Sequence, residues 1–191
     1  MGNRPCHSLT RSLSGVYRAF SRTWRWYPQP DSARSLIVVR RVLCFGNPLH
    51  GDDGIGPHIA DALHQYRLPR DVEVLDLGTD GLALPMLLAD CQEAVLVDAW
   101  RGEGLTGQVV VRNAKETLMR QANVSISHNI HLGFALQMVL AERGELPPIH
   151  LVTVTVAEIA AFHIGLSPVV AQATPWAVAE IIRLLCQGGI I

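Results

Sequence analysis

The stretch Gly46-Asn47-Pro48-Leu49-His50-Gly51-Asp52-Asp53-Gly54-Ile55-Gly56 concentrates the chemistry of this chain. The spacing from Gly46 to Gly51 is that of a phosphate loop. A phosphate loop continues with Lys and Ser or Thr, whose charge and hydroxyl meet phosphate and magnesium. Asp52 and Asp53 stand in those places here. Two carboxylates repel a phosphate and attract a cation, so the loop reads as half of a metal site. A glycine-rich turn between strand and helix also lets a ligand approach the backbone closely. The same residues fit a tight turn with Asp as helix cap.

Other candidates lie far along the chain. Asp98 ends the apolar run Glu93 to Asp98, Glu158 follows the run His150 to Val156, and His128 precedes the helical pattern Ile130 to Arg143. An acidic site needs a counter-charge. The only lysine, Lys115, is not placed for it. A divalent ion is the alternative, and two carboxylates with one imidazole suit a borderline ion such as nickel or zinc. Three protein ligands leave coordination positions open. Asp52 is the better capping acid. Glu158 is a secondary candidate, His131 is a second candidate imidazole, and His50, His58 and His64 are expected to face solvent. His150 and His163 carry no motif. Trp100, beside Asp98, either lines the site or packs in the core.

The elements that must position these residues alternate between strand and helix. Leu36 to Phe45 is the first strand. Ile55, Ile59, Ala60 and Leu63 fall at helical spacing. Val72 to Leu77 is the second strand, and a short helix spans Leu82 to Asp90 with Pro85 in its first turn. Glu93 to Asp98 has the unbroken apolar core of a strand covered on both faces. Residues 99–106 are too few for a crossover helix, so the fourth strand, Gln108 to Arg112, is expected to run antiparallel to its neighbour. Asn113 to Asn129 takes no assignment. A helix over Ile130 to Arg143, a fifth strand over His150 to Val156 and a last helix from Pro168 to about Leu185 complete the chain, with Ser167 as cap. This predicts a three-layer α/β/α domain around a mostly parallel, twisted, five-stranded sheet with one antiparallel strand. In such folds a ligand sits beyond the carboxyl ends of the strands, where strand order reverses. Asp53, Asp98 and Glu158 all fall at that edge.

The chain has 191 residues, 49% of them hydrophobic, and a net charge of -1. That suffices for one globular domain with a full core. Residues 1–41 carry eight Arg and one acid, whereas residues 42–191 are acidic. An acidic body argues against nucleic-acid binding. Apolar runs are shorter than a bilayer span, so no membrane association is expected. Residues 1–35 are expected to form a basic extension, disordered or outside the core, with the domain over 36–191. Their Arg- and Ser-rich, acid-poor composition also fits a transit peptide. Cys6, Cys44, Cys91 and Cys186 form no C-x-x-C pair. Cys44 and Cys91 read as buried thiols of a cytoplasmic protein. No H-E-x-x-H helix and no G-x-S-x-G elbow is present, so zincin and serine-hydrolase readings have no support.

These pieces resemble a known family. The segment 46–56, Asp76-Leu77-Gly78-Thr79 followed by Gly81-Leu82, Val97-Asp98-Ala99, Ser127-His128 and Gly165-Leu166-Ser167-Pro168 are similar, in order, to hydrogenase maturation endopeptidases. The resemblance covers residues 42 to about 185. It implies an α/β peptide-bond hydrolase that trims the carboxyl terminus of the large-subunit precursor of a nickel–iron hydrogenase. It implies Asp53, Asp98 and His128 as metal contacts, with Asp53 and Asp98 the candidates for general base. It implies nickel that arrives with the substrate and no organic cofactor. A nickel-dependent binding or chaperone-like module without cleavage is the alternative. Ala161 departs from the family pattern, which often has an acid there.

Overall fold

The computed structural model describes residues 39–114, 136–141, 143–157, 159 and 162–187. The extension 1–35, Glu158, Ala161 and the two candidate imidazoles His128 and His131 lie outside the described residues.

Among the described residues, five strands form one sheet: β1 (Val39–Phe45), β2 (Val72–Gly78), β3 (Cys91–Trp100), β4 (Val109–Asn113) and β5 (Ile149–Thr155), in the spatial order β2-β1-β3-β5-β4. The first four of these in space are mutually parallel, and β4 alone runs antiparallel, against β5. The short connection after β3 correctly implied the reversed direction of β4. Its neighbour is β5, not β3, because β5 inserts between them later in the chain.

Alternation along β3 divides the core. Val95, Val97 and Ala99, with Cys44, Val152 and Val154, face α1 (Ile55–Leu63) and the last helix (Pro168–Gln187). Ala94, Leu96 and Trp100, with Leu43 and Leu151, face the short helix α2 (Leu84–Leu88) and the helical residues 136–141. Burial on both faces explains the unbroken apolar run of β3. The last helix, α3, is long and apolar enough by composition to cross a membrane. Its buried side chains instead form one stripe, Val170, Ala173, Ala177, Val178, Ile181, Leu184 and Leu185, packed on the sheet.

The first strand opens with two buried arginines. Arg40 bonds Asp71 and the Leu185 carbonyl near the end of α3, and Arg41 bonds Glu73, Asp90 and the Leu87 carbonyl in α2. Each cation thus meets acids and carbonyls at a helix carboxyl end, where positive charge is favoured. The Arg40 hydrogen bond, at 2.7 Å, holds the Asp71 carboxyl below its ordinary value, against partial burial. A depressed carboxylate pKa stabilises the fold above the unfolded value of about 3.9 and loses that contribution as pH falls through the folded value. Asp71→Asn is expected to cost about 1 kcal/mol at neutral pH. The difference from wild type should vanish in acid, as measured by urea midpoints from pH 7 down to pH 2.5. A difference independent of pH would show that the ion pair is not the cause.

Candidate functional site

Strand order reverses between β1 and β3: the chain leaves β1 for β2 on one side and enters β3 on the other. The loop after β1 and the carboxyl half of β3 meet at this point. Gly51–Gly54 forms a single 3-10 turn, with all four residues buried, that leads directly into α1. Asp53 in this turn and Asp98 in β3 are each only 2% exposed. Asp98 follows the pair Cys44–Val97 across β1 and β3, and it pairs with Thr153 on β5. It does not end its strand, since β3 continues through Trp100.

Each carboxylate is oriented by a backbone amide. The Asn47 N–H donates to Asp53 Oδ2 at 2.9 Å, and the Ala99 N–H donates to Asp98 Oδ1 at 2.7 Å. Asp52 has a different occupation. Its Oδ1 accepts the Ser167 N–H at 2.6 Å and its Oδ2 accepts the Ser167 hydroxyl at 2.9 Å. Ser167 Oγ in turn accepts the Val170 N–H in the first turn of α3. Asp52 therefore ties the loop to the cap of the last helix.

The glycines of this loop serve the protein's own backbone. A Cβ on Gly46, whose φ is +141°, would lie 2.0 Å from the Asp53 carbonyl oxygen, and one on Gly56 would lie 1.9 Å from the Phe45 carbonyl oxygen. The close approach expected for a ligand is made by the neighbouring turn and strand. This internal packing is what turns Asp53 back over the end of β1.

Among the described residues, no three His, Cys, Asp or Glu side chains come together as a metal-binding group. Asp53 and Asp98 are the two expected ligands that the described fold brings to one edge. Cys44, close by on the other face of the sheet, is no nucleophile. Burial, aided by the Asp76 and Asp98 charges, pushes its thiol well above the ordinary value. His58 and His64 are exposed as expected, whereas His50 is half-buried and meets the Phe162 ring edge-on.

One charged residue at this edge was missed by the search for a lysine. Arg112 donates to Thr153 Oγ1, at 2.7 Å, on the residue that pairs with Asp98. Its guanidinium lies 4.4 Å from the Trp100 ring centroid, and burial lowers its pKa. The signal was present in the alternation of β4, where Val109 and Val111 pack on one face and Arg112 must turn to the other.

Comparison with known proteins is specific. A family model described as hydrogenase maturation protease matches residues 57–184. The chain is 30% identical over 151 residues to the hydrogenase 2 maturation protease of Escherichia coli, covering 78% of this chain and 92% of that protein. The structure is similar to that of the hydrogenase maturating endopeptidase HybD from E. coli, with a TM-score of 0.72 and 32% identity over 80% of this chain and 94% of that one. A [NiFe] hydrogenase maturation protease HybD from Thermococcus kodakarensis matches with a TM-score of 0.66 at 25% identity, over 78% of this chain and 99% of that one.

Proposed function

We propose, from the premise that the chain belongs to the hydrogenase maturation protease family, that it is the endopeptidase that removes a carboxyl-terminal peptide from the nickel-loaded precursor of a nickel–iron hydrogenase large subunit. The observation that carries this reading is the pair of buried carboxylates, Asp53 and Asp98, at the switch point of the sheet. Carboxylates at that edge attract a cation. In this reading the cation is part of the substrate, so cleavage is conditional on correct metal loading.

The chemistry is hydrolysis: water adds to the scissile carbonyl, the C–N bond breaks, and the released amine takes a proton. A divalent ion beside the bond supplies polarisation of the carbonyl and a more acidic water. The chain's own contribution is positioning. Asn47 and Ala99 amides fix the two carboxylates before substrate arrives, which lowers the ordering cost of binding. Asp53 and Asp98 contact the ion with His128, and whichever carboxylate oxygen faces the water accepts its proton. Asp52, committed to Ser167, has no part in the step.

The surface around these acids suits a protein substrate. Leu49, Leu82, Leu105, Phe162, Ile164 and Val169 are all exposed, and each lies in or next to a loop at the carboxyl edge of the sheet. Large exposed apolar side chains gathered at one end of a domain mark an interaction surface.

Incubation with nickel-loaded precursor should release a peptide detectable by mass. Nickel-free precursor, casein and unrelated peptides should stay intact. In the same assay His128→Ala is expected to abolish release, with His131→Ala leaving most of it. Binding of loaded precursor without any mass change would replace the endopeptidase with a binding module. Efficient cutting of nickel-free precursor would reject the substrate-borne metal.

A further inference from the structure

Phe162 is unusual in two respects. Its φ is +61°, the only positive φ at a non-glycine among the described residues, and it is 93% exposed. In the left-handed region the Cβ of an L-residue crowds the following carbonyl oxygen, and a bulky residue rarely stays there. Burial does not offset that cost. The ring meets the edge of His50 with centroids 6.4 Å apart, and nearly all of its surface faces water.

The loop that carries Asp53 holds this segment in place. The Gly51 N–H donates to the His163 carbonyl at 2.7 Å, and His50 and His163 form a parallel bridge. A few residues on, Ser167 is tied to Asp52. The structure around the candidate site thus keeps a bulky side chain strained and in solvent, a combination that clusters at binding positions. Leu49 and Ile164, each adjacent in sequence to a bridged histidine, are exposed as well. Neither residues 46–51 nor residues 159–169 contain an Asp, Glu, Lys or Arg.

We propose that Phe162, with Leu49 and Ile164 beside it, anchors the folded body of the precursor by seating in an apolar pocket there, and does not grip the peptide to be removed. Shape carries the choice of occupant. An extended tail presents side chains and needs pockets to receive them. A protruding ring needs a concave apolar surface, which folded domains supply. The lack of charge in both segments suits a dry contact, of the kind in which an aromatic anchor carries much of the binding free energy. Attachment to the Asp53 loop makes this contact continuous with the candidate site. The inference deepens the endopeptidase reading and rests on it for the identity of the partner. Phe162 is a specificity-determining residue and takes no part in the hydrolytic step.

The test is Phe162→Asn in the full chain, because asparagine lacks the ring and tolerates the left-handed region. The variant should melt about 2–4 °C above wild type as strain is relieved. Its KM for nickel-loaded precursor should rise about tenfold with kcat unchanged, the mark of binding made equally in ground and transition state. A structural role for the ring predicts the opposite sign in Tm, with kcat falling. Calorimetry with two probes identifies the occupant. One is nickel-loaded precursor whose tail is replaced by a Gly-Ser segment of equal length, and the other is the tail as a free peptide. The first should bind wild type and bind Phe162→Asn about tenfold more weakly, whereas the peptide should not distinguish them. The proposal is overturned if the first probe fails to bind wild type, binds both proteins equally, or if only the peptide senses the change. A dimer of the free protein that Phe162→Asn dissolves would assign the knob to a second copy instead. Phe162-dependent binding without peptide release from intact precursor would sink the endopeptidase reading and leave the anchor standing. Release with wild-type KM in Phe162→Asn would do the reverse.

Discussion

Asp98→Asn is expected to give a folded protein that releases the carboxyl-terminal peptide at least about a hundredfold more slowly, and Asp53→Asn should behave alike. The substitution preserves size, and the new amide oxygen can still accept the backbone N–H that now orients the carboxylate, from Ala99 or from Asn47. What disappears is the negative charge, and with it both the attraction for a cation and the capacity to take a proton from water. Asp52→Asn is the control with the same chemical change one residue away. Its two bonds to Ser167 hold the cap of α3, so the expected loss is about 1 kcal/mol of stability with processing kept within a few-fold. Rates come from precursor conversion by mass, and stability from urea midpoints. Wild-type processing in both Asp53→Asn and Asp98→Asn would remove the acids from the mechanism. A loss confined to Asp52→Asn would place the chemistry on the wrong carboxylate.

Much of this site was legible before the fold. The apolar run before Gly46 and the helical spacing after Gly54 placed Asp53 at a strand-to-helix turn, and the structure has it there. Helical spacing also located α1, and the start signal Ser167-Pro168 located the beginning of α3. Three things were not legible, each for a physical reason. The partner of β4 depends on which strand fills the slot beside β3, and loop length constrains direction without naming a neighbour. The face on which Asp98 points is hidden in an unbroken apolar run, since a strand buried on both sides shows no polar alternation. The purpose of the glycines was inverted. Glycine in a turn signals close approach, but sequence cannot say whether the approaching group is a ligand or the chain itself.

That last point gives Gly56→Ala a large expected cost to stability. Gly56 lies in the first turn of α1, where alanine normally favours a helix by about 1 kcal/mol over glycine. Here the added methyl would sit 1.9 Å from the Phe45 carbonyl oxygen, 2.8 Å from its carbon and 2.9 Å from its nitrogen. These are backbone atoms at the end of the interior strand β1, and Phe45 is also registered with Gly78 of β2. Neither can rotate away as a side chain would. Relief requires α1 to move off the sheet, and Ile55, Ile59, Ala60 and Leu63 would lose packing with it. Overpacking of this kind costs roughly 1–3 kcal/mol, which for a domain of this size lowers Tm by about 3–10 °C. Because the turn Gly51–Gly54 runs straight into α1, Asp53 should move away from Asp98 and processing should fall as well. Gly144→Ala is the comparison. Gly144 has φ +76° but nothing within 4 Å of an added Cβ, so only the conformational penalty of about 1–2 kcal/mol applies and processing should be untouched. Thermal melts of the two variants, with precursor conversion alongside, separate crowding from backbone strain. A Gly56→Ala protein that melts at or above the wild-type temperature would mean that α1 is free to shift, and that its contact with β1 does not set the position of Asp53.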